Sequence, residues 1–395
     1  MKRLLIPLLL LLTFLLLGYI LVRSKNQKIL TLTKNFKESE KTVALLKDDI
    51  KVKEATISSL SKELEGIRGT VIYKELKLIK DTLINFKKLK DKVNSYQKLG
   101  VKTESVADKF PILTDLLLEL KFEEASSSIK AYDDNLEKLY EQKKEEERKA
   151  LEELQRRYTQ VLDQGGYIRY SVRTDVGVFL ADILVADLNK VRVITDTAND
   201  SDCKRDCALL TLASFVSRNG GFAGINGSYY CPPEYPQCSD KKNSFDFPVY
   251  NSRLGKWINK KNLFWDNRAL ITFRGNSGSF YKFEKSYSTG TSVDAGLAMV
   301  PGLLQNGSVI VGSYKLEAKE QIRSTRSSIG FSGSKVYAIT ARGVNTYELA
   351  YVQKAVGAKN ALALDGGGSI NFYYNGVYYA GPGRAQANSI IFKYR

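Results

Sequence analysis

An ionisable carboxylate, a flexible backbone and a hydroxyl come together in segment 365–369, which reads Asp-Gly-Gly-Gly-Ser. The segment follows the apolar run 361–364, which is typical of a buried strand, so Asp365 is expected where the chain leaves the core. Consecutive glycines let the backbone turn tightly, and their amides can cradle an anion such as phosphate. An ordinary Asp-Gly turn is the alternative, but the run of three glycines argues against it. The motif therefore predicts a carboxylate beside a bound anion.

Further polar residues stand where predicted strands, helices and loops begin or end. They are Asn226, Arg326, Glu348 and Arg384. Arginine suits an anion site because its planar fork of donors matches phosphate oxygens. Taken singly, each arginine is more often a surface charge or part of a structural ion pair. Their combination with the glycine motif makes the set a candidate site.

The sequence contains no histidine. This excludes Ser-His-Asp and Cys-His catalysis and every zinc site with a histidine ligand. Acid–base chemistry must then rely on Asp, Glu, Lys, Tyr or Cys. An acidic segment offers calcium-type oxygen ligands, but we interpret it as a solvated loop and predict neither a metal nor a cofactor. Its members are Asp196, Asp200, Asp202 and Asp206.

The four cysteines all lie between positions 203 and 238, at Cys203, Cys207, Cys231 and Cys238. In a domain outside the cytoplasm, an even number of clustered cysteines predicts two disulfides. Three pairings are possible, and the spacing does not choose among them. A zinc site built from all four thiolates is the alternative.

Short runs rich in β-branched and aromatic residues follow Gly166 and predict a β-rich domain. Strands are expected at 178–186, 191–194, 269–273, 279–283, 335–340 and 389–394. Two helices fit best at 208–218 and 346–356. Strands with few helices predict an α+β fold built on a mixed sheet.

These motifs, in this order, resemble the phosphodiester glycosidase family. The resemblance covers residues 180–392, and Asp-Gly-Gly-Gly-Ser is its specific part. Other matching segments are 225–230, 326–330, 348–350 and Arg384 followed by Asn388. Three places depart from the family pattern: Ser228 replaces a glycine, Ala363 replaces an asparagine, and segment 340–343 (Thr-Ala-Arg-Gly) lacks an aspartate that relatives often carry before Gly-Arg.

The resemblance implies hydrolysis of a sugar 1-phosphodiester, and the residue types fit that chemistry. The phosphate leaving group needs little protonation, so the site must mainly stabilise phosphate charge and supply a carboxylate. We predict Asp365 as base or nucleophile, Glu348 as second carboxylate, and Asn226 as a contact to sugar hydroxyls. Retention or inversion stays open, because it depends on the carboxylate separation. Phosphate contacts are predicted from Arg326, Arg384, Gly366, Gly367, Gly368 and Ser369.

The uncharged apolar run 4–22 is just long enough to span a bilayer. Its end, before Arg23, is a poor cleavage site, so we predict an uncleaved signal anchor in the cell membrane; a cleaved signal peptide is the alternative. The rest of the chain is then expected outside the cytoplasm. The net charge of +17 favours anionic partners. The predicted location excludes nucleic acid and leaves a sugar-phosphate glycan or exopolysaccharide.

A seven-residue apolar repeat runs through 29–71 and predicts a coiled coil. Gly66 and Gly69 interrupt it, and Pro111 is expected to start a new helix. We interpret the region as a spacer that can form a homo-oligomer. An antiparallel helical bundle within one chain is the alternative.

The sequence thus predicts a membrane anchor (1–24), a helical stalk (25–164) and a phosphodiester glycosidase-like domain (165–395). A membrane-anchored hydrolase is the preferred function, because the set of candidate residues is complete. A non-catalytic module that tethers sugar-phosphate polymers is the alternative that the Ser228 and Ala363 departures favour. A passive cap on a scaffold is the third interpretation.

Overall fold

The computed structural model describes residues 51–53, 56 and 71–395. The predicted anchor at 4–22 lies outside these residues, as does nearly all of the predicted heptad segment 29–71. Among the described residues, none of the helices has the length and apolar character needed to cross a membrane.

The chain divides into two compact units, 1–146 and 147–395. The described part of the first unit is helical. The second is rich in β-strands, with few helices. The predicted stalk boundary at 164 is where a long helix ends, whereas the second unit begins earlier, inside that helix.

The helical region contains two long helices and two short ones. In chain order they are α1 (Val71–Lys98), α2 (Glu104–Ala107), α3 (Phe110–Leu118) and α4 (Phe122–Gln164). Pro111 lies in the first turn of α3, as predicted, where its missing amide hydrogen is not needed. Helix α4 ends before Gly165 and Gly166, which both have positive φ.

Apolar side chains of α1, α2, α3 and α4 form one small core inside the first unit, including Leu89, Leu113 and Leu136. Lys92 donates to Asp133 at 2.6 Å, and the Tyr96 ring stacks on Tyr140 at 4.3 Å. From the first contact to the second, the residue number increases on both helices, so α1 and α4 run in the same direction. This part of the chain is a helical bundle within one chain, but its two long helices are parallel rather than antiparallel.

Within residues 147–395 there are seventeen strands and three further helices. The strands are β1 (Gly166–Thr174), β2 (Gly177–Asp187), β3 (Val191–Thr197), β4 (Ala223–Asn226), β5 (Val249–Asn251), β6 (Lys256–Ile258), β7 (Ala269–Arg274), β8 (Ser277–Tyr281), β9 (Ala295–Met299), β10 (Gly302–Gln305), β11 (Ser308–Val309), β12 (Ser324–Ser332), β13 (Lys335–Val344), β14 (Asn360–Ala363), β15 (Phe372–Tyr374), β16 (Val377–Ala380) and β17 (Asn388–Tyr394). The helices are α5 (Leu212–Arg218), α6 (Ala318–Gln321) and α7 (Thr346–Ala355). Each predicted strand and helix of this domain coincides with an observed one.

The strands form three antiparallel sheets, so the predicted mixed sheet is wrong. The orders are β1-β2-β13-β12-β14-β10-β11, β16-β15-β4-β17-β3 and β6-β5-β9-β7-β8. Strands β13 and β14 run parallel and are joined through α7, but β12 lies between them and pairs antiparallel with both. This insertion removes the parallel contact that a strand-helix-strand connection would otherwise make.

Inner faces of all three sheets meet in one core, to which Leu362, Ile225 and Ile271 each bring a side chain from a different sheet. The outer face of the first sheet is covered by α7 and by the end of α4, through residues such as Leu349 and Tyr158. Helix α5 covers the second sheet. The core therefore fixes the ends of β4 and β14 relative to each other.

The disulfides join neighbours in sequence, Cys203 to Cys207 and Cys231 to Cys238. This selects one of the three pairings and leaves no thiolate for a zinc site. In the acidic segment, Asp196 pairs with Arg218 at 2.7 Å, and Asp200 pairs with Arg253.

Candidate functional site

Asp365 stands two residues beyond the end of β14, where the first two sheets meet. Its amide donates to the carbonyl of Gly227 at 3.0 Å, just after the end of β4. Its own carbonyl accepts from the Asn226 side-chain amide at 2.7 Å. Two strand ends from different sheets therefore hold the Asp365 backbone, which makes its side chain a rigidly placed group.

The Asp365 carboxyl is 9% exposed and, among the described residues, has no ion-pair partner. Its Oδ1 accepts from the amide of Gly366 at 2.8 Å. Burial raises its pKa, and the Ser369 hydroxyl, the Gly366 amide and the charge of Arg384 offset only part of that rise. A carboxyl with a raised pKa beside a cavity can accept and release a proton during a reaction.

The glycine segment is shaped by the two arginines beside it. A Cβ added to Gly368 would lie 2.9 Å from Nε of Arg384, a distance that real Cβ atoms do not reach. A Cβ at Gly366 would lie 3.7 Å from Nη1 of Arg326. Glycine is thus required at 368 so that the Arg384 guanidinium can lie against the backbone.

Arg384 carries an unused donor next to this segment. Its Nε is buried and has no hydrogen-bond partner. Its Nη1 lies 3.3 Å from the Glu234 carboxylate, in the loop that the Cys231–Cys238 disulfide closes. A buried donor without an acceptor is costly, so a ligand oxygen placed there would stabilise the site.

Arg326 supports the wall of the site. Its Nη2 donates to the carbonyls of Lys319 at 2.6 Å and Ile322 at 2.8 Å, and its Nε donates to that of Val344 at 3.2 Å. Burial lowers its pKa, and no carboxylate pairs with it in the described part of the chain. The guanidinium therefore brings a positive charge to the site, opposed in part by the nearby charge of Glu320, while it holds the segment around α6.

Asp365 and both arginines line one cavity of about 510 Å³. Charged side chains of the α6 region complete its wall, and Lys319 Nζ lies 4.9 Å from the centre of the Tyr229 ring. The other polar or charged side chains are Tyr229, Tyr235, Gln237, Lys315, Glu317, Lys319, Glu320, Ser324 and Thr346. A buried carboxyl, unpaired guanidinium donors and glycine amides around one cavity suit a ligand with a phosphate group.

Residues 222–393 match the sequence model of the phosphodiester glycosidase family. This match confirms the family resemblance predicted for the C-terminal domain. It supports a glycosidase-type function for that domain. The matched range contains every residue predicted to take part in catalysis or phosphate binding. Among the curated proteins, none matches the chain.

Solved structures also match the chain. A hypothetical protein from Synechocystis is 12% identical, with a TM-score of 0.40; the alignment covers 58% of this chain and 62% of that one. The chain thus spans less than two thirds of that relative. The catalytic domain of zebrafish N-acetylglucosamine-1-phosphodiester alpha-N-acetylglucosaminidase, auto-inhibited by pro-peptide, is 16% identical, with a TM-score of 0.46 over 59% of this chain and 83% of that one.

Within this phosphodiester glycosidase-like domain, the Asn226 side chain lies in the interior. Its side chain is 1% exposed and is occupied by the backbone, at the carbonyl of Asp365 and the amide of Asn371, 3.4 Å away. It therefore positions the Asp365 backbone, and it does not line the cavity that contains Asp365.

Glu348 is also engaged elsewhere. It caps α7 reciprocally with Asn345 and forms an ion pair with Arg323. Burial raises its pKa, but the hydrogen bonds from Arg323 and the Asn345 amide outweigh this and leave the pKa lowered. The described carboxylates that line the cavity are Asp365, Glu317 and Glu320. Glu348 is not among them, so its contacts in this structure support a structural role.

Ser369 and Ser228 take different positions. The Ser369 hydroxyl is buried close to Asp365 and makes no well-aligned hydrogen bond. The Ser228 hydroxyl accepts from the Asn388 side chain at 3.0 Å, inside the protein. The departure from glycine at 228 is thus accommodated by an internal contact and does not alter the cavity wall.

Sequence reasoning missed the α6 region. Lys319 and Glu320 belong to a helix of four residues, too short to produce a periodic pattern. Burial raises the pKa of Glu320. The only local signal was a capping box, in which Glu317 and Glu320 cap the helix reciprocally.

Proposed function

We propose that this protein hydrolyses the glycosidic bond of sugar 1-phosphodiesters in an envelope or exopolysaccharide glycan. The observation that carries the proposal is the buried, unpaired Asp365 carboxyl at a cavity where two arginines flank a glycine segment. The family match supports the same reaction class.

The groups around the cavity support two routes for this reaction. In the first, water adds its oxygen to the anomeric carbon while the bond from that carbon to the phosphate oxygen breaks, and Asp365 takes the proton from water. In the second, the Asp365 carboxylate attacks the anomeric carbon as the same bond breaks, and water then hydrolyses the glycosyl ester on Asp365. The phosphomonoester leaves with the bridging oxygen, and Arg384 Nε, Arg326 and the glycine amides stabilise its negative charge.

We assign the second carboxylate to Glu320, in place of Glu348. Glu320 lines the same cavity as Asp365, and its raised pKa suits a group that donates or shares a proton. A positive charge at Lys319 beside it helps to retain the phosphate.

A tethering module is the second candidate. The engagement of Glu348 in a helix cap and an ion pair favours it, because this removes one of the two predicted catalytic carboxylates. Such a module would bind the same glycan without turnover.

The full chain, purified in detergent, should be incubated with nitrophenyl phosphodiesters of several α-linked sugar 1-phosphates. A glycosidase releases free sugar and nitrophenyl phosphate. In water enriched in oxygen-18, the phosphate product must stay unlabelled, because the broken bond is carbon–oxygen. Label in the phosphate would show attack at phosphorus and overturn the assignment. Saturable binding without any product would support the tethering module.

The proposal also includes the location of the protein and its orientation in the membrane. We place residues 4–22 in the cell membrane, the C-terminal domain outside the cytoplasm, and a homo-oligomer contact in the stalk. External protease added to intact cells should then remove the C-terminal domain while an N-terminal tag stays protected. A protected C-terminal domain would contradict the orientation.

A further inference from the structure

A second depression, of about 470 Å³, lies against the same glycine segment. We call it the outer groove, and define it by Thr325, Arg342, Gly367, Gly368 and Tyr379. It shares Gly367 with the cavity that contains Asp365. The two depressions therefore meet at the glycine segment.

The backbone at this junction leaves room for a ligand. Gly367 has φ of +60°, and a Cβ added to it would meet no atom within 4 Å. The neighbouring strand supports the same arrangement, because Arg326 lines the cavity while Thr325, the residue before it in β12, lines the outer groove. Successive strand residues point to opposite sides, so one strand end serves both depressions.

A cluster with excess positive charge lies at and behind the wall of the outer groove, where Arg342 lines the groove and Arg169 lies behind Tyr379. Asp182 is fully buried; its Oδ2 lies 2.8 Å from Nη1 of Arg342, and its Oδ1 accepts from Arg169 Nε at 2.8 Å. One carboxylate thus faces two guanidinium groups. Both arginines also donate to the carbonyl of Tyr379, which fixes their orientation. Arg342 lines the groove and keeps about a third of its side chain exposed.

We propose that the outer groove is a second anionic subsite, which binds the next phosphate group of a repeating sugar-phosphate polymer. This inference rests on the proposed function, and it adds that the preferred substrate is a polymer rather than an isolated diester. One phosphodiester lies in the cavity beside Asp365. The chain continues over Gly367, and its neighbouring phosphate meets the charge of Arg342.

The test compares a hexamer of phosphodiester-linked N-acetylglucosamine 1-phosphate with the methyl diester of the monomer. The full chain should bind the hexamer about tenfold more tightly per molecule, as one additional charge-assisted contact provides. Thr325→Trp fills the groove and should abolish this preference, whereas Thr325→Val should retain it. Arg342→Gln should reduce it, and Arg192→Gln, a basic residue of another surface, should not.

Binding by calorimetry and kcat/KM are both measured, and the ratio between hexamer and monomer is the readout. A preference that Thr325→Trp removes supports the subsite, even if neither compound is hydrolysed. Hydrolysis with equal ratios in wild type and Thr325→Trp would overturn the subsite and leave the proposed reaction intact. Absence of both binding and turnover would overturn both. Thermal unfolding of each variant checks that its fold is retained.

Discussion

Two buried carboxylates of the β-rich domain have opposite surroundings. Asp196 is fully buried and accepts from Arg218 at 2.7 Å, Asn219 at 2.7 Å and Asn251 at 3.1 Å. Asp365 is nearly as buried, yet its side chain receives one short backbone hydrogen bond and pairs with no cation in the described part of the chain. A saturated carboxylate holds the fold together, whereas an unsaturated one beside a cavity retains capacity for a ligand or a proton.

Glu284 sharpens this contrast. It is fully buried, and neither carboxylate oxygen has a hydrogen-bond partner. Burial raises its pKa to about 8, although the charge of Arg268 opposes the rise. It does not line the cavity of Asp365. The absence of a hydrogen-bond partner therefore does not by itself identify a functional carboxyl, because such a group also needs access to a ligand.

The largest effect is expected from Asp365→Asn. The amide keeps the acceptor for the Gly366 backbone but can neither take a proton nor attack carbon, so kcat should fall about 10²–10⁴-fold. Sugar release by the purified full chain measures this. Circular dichroism should be unchanged. Activity close to wild type would contradict the assigned role.

Asp196→Ala should lower the free energy of unfolding. Its removal leaves the Arg218 charge partly buried without its partner, which costs about 3–5 kcal/mol. Urea unfolding measures the free energy, and kcat per folded molecule should stay near that of wild type. Asp200→Ala, an exposed partner of Arg253, is the matched control and should change stability little. An equal loss of unfolding free energy in both variants would contradict the structural role assigned to Asp196.

Glu284→Gln should change how stability depends on pH. Its folded pKa, about 8, lies above the ordinary value of 4.5, so the folded state binds the proton more tightly. The stability contributed by the protonated group is present below pH 4.5 and is lost as the pH rises toward and through 8. The uncharged amide of the variant removes this slope. The free energy of unfolding is measured for wild type and variant at pH 5 and at pH 9. The two proteins should differ most at pH 9, where the variant is expected to be the more stable. Parallel pH profiles would refute a buried carboxyl at 284.

The smallest effect is expected from removing a disulfide. Replacement of Cys231 and Cys238 by Ala frees the loop that bears Glu234, the partner of Arg384, so KM should rise several-fold. Replacement of Cys203 and Cys207 is the control, because that loop does not line the cavity. A KM change of the same size in both double variants would show a general loss of stability.

Local patterns predicted much of this domain. The longer strands, α7 and the glycine motif were readable because apolar runs and glycine runs reflect the backbone directly, whereas most of the short strands were not predicted. The helix-capping contact of Glu348 was not predicted, although Asn345 three residues earlier in the sequence completes a capping box. The hydrogen bond from Asn226 to the Asp365 carbonyl could not be predicted, because the two residues are far apart in sequence. The division into three sheets likewise depends on long-range pairing.

The close approach of Arg384 to Gly368 has a consequence for sequence comparison. No side chain at 368 fits while the guanidinium at 384 occupies its observed place. These two positions are thus expected to change together among relatives, with a shorter residue at 384 wherever 368 is not glycine. Such paired variation would also trace which relatives have replaced this contact between the arginine and the glycine segment.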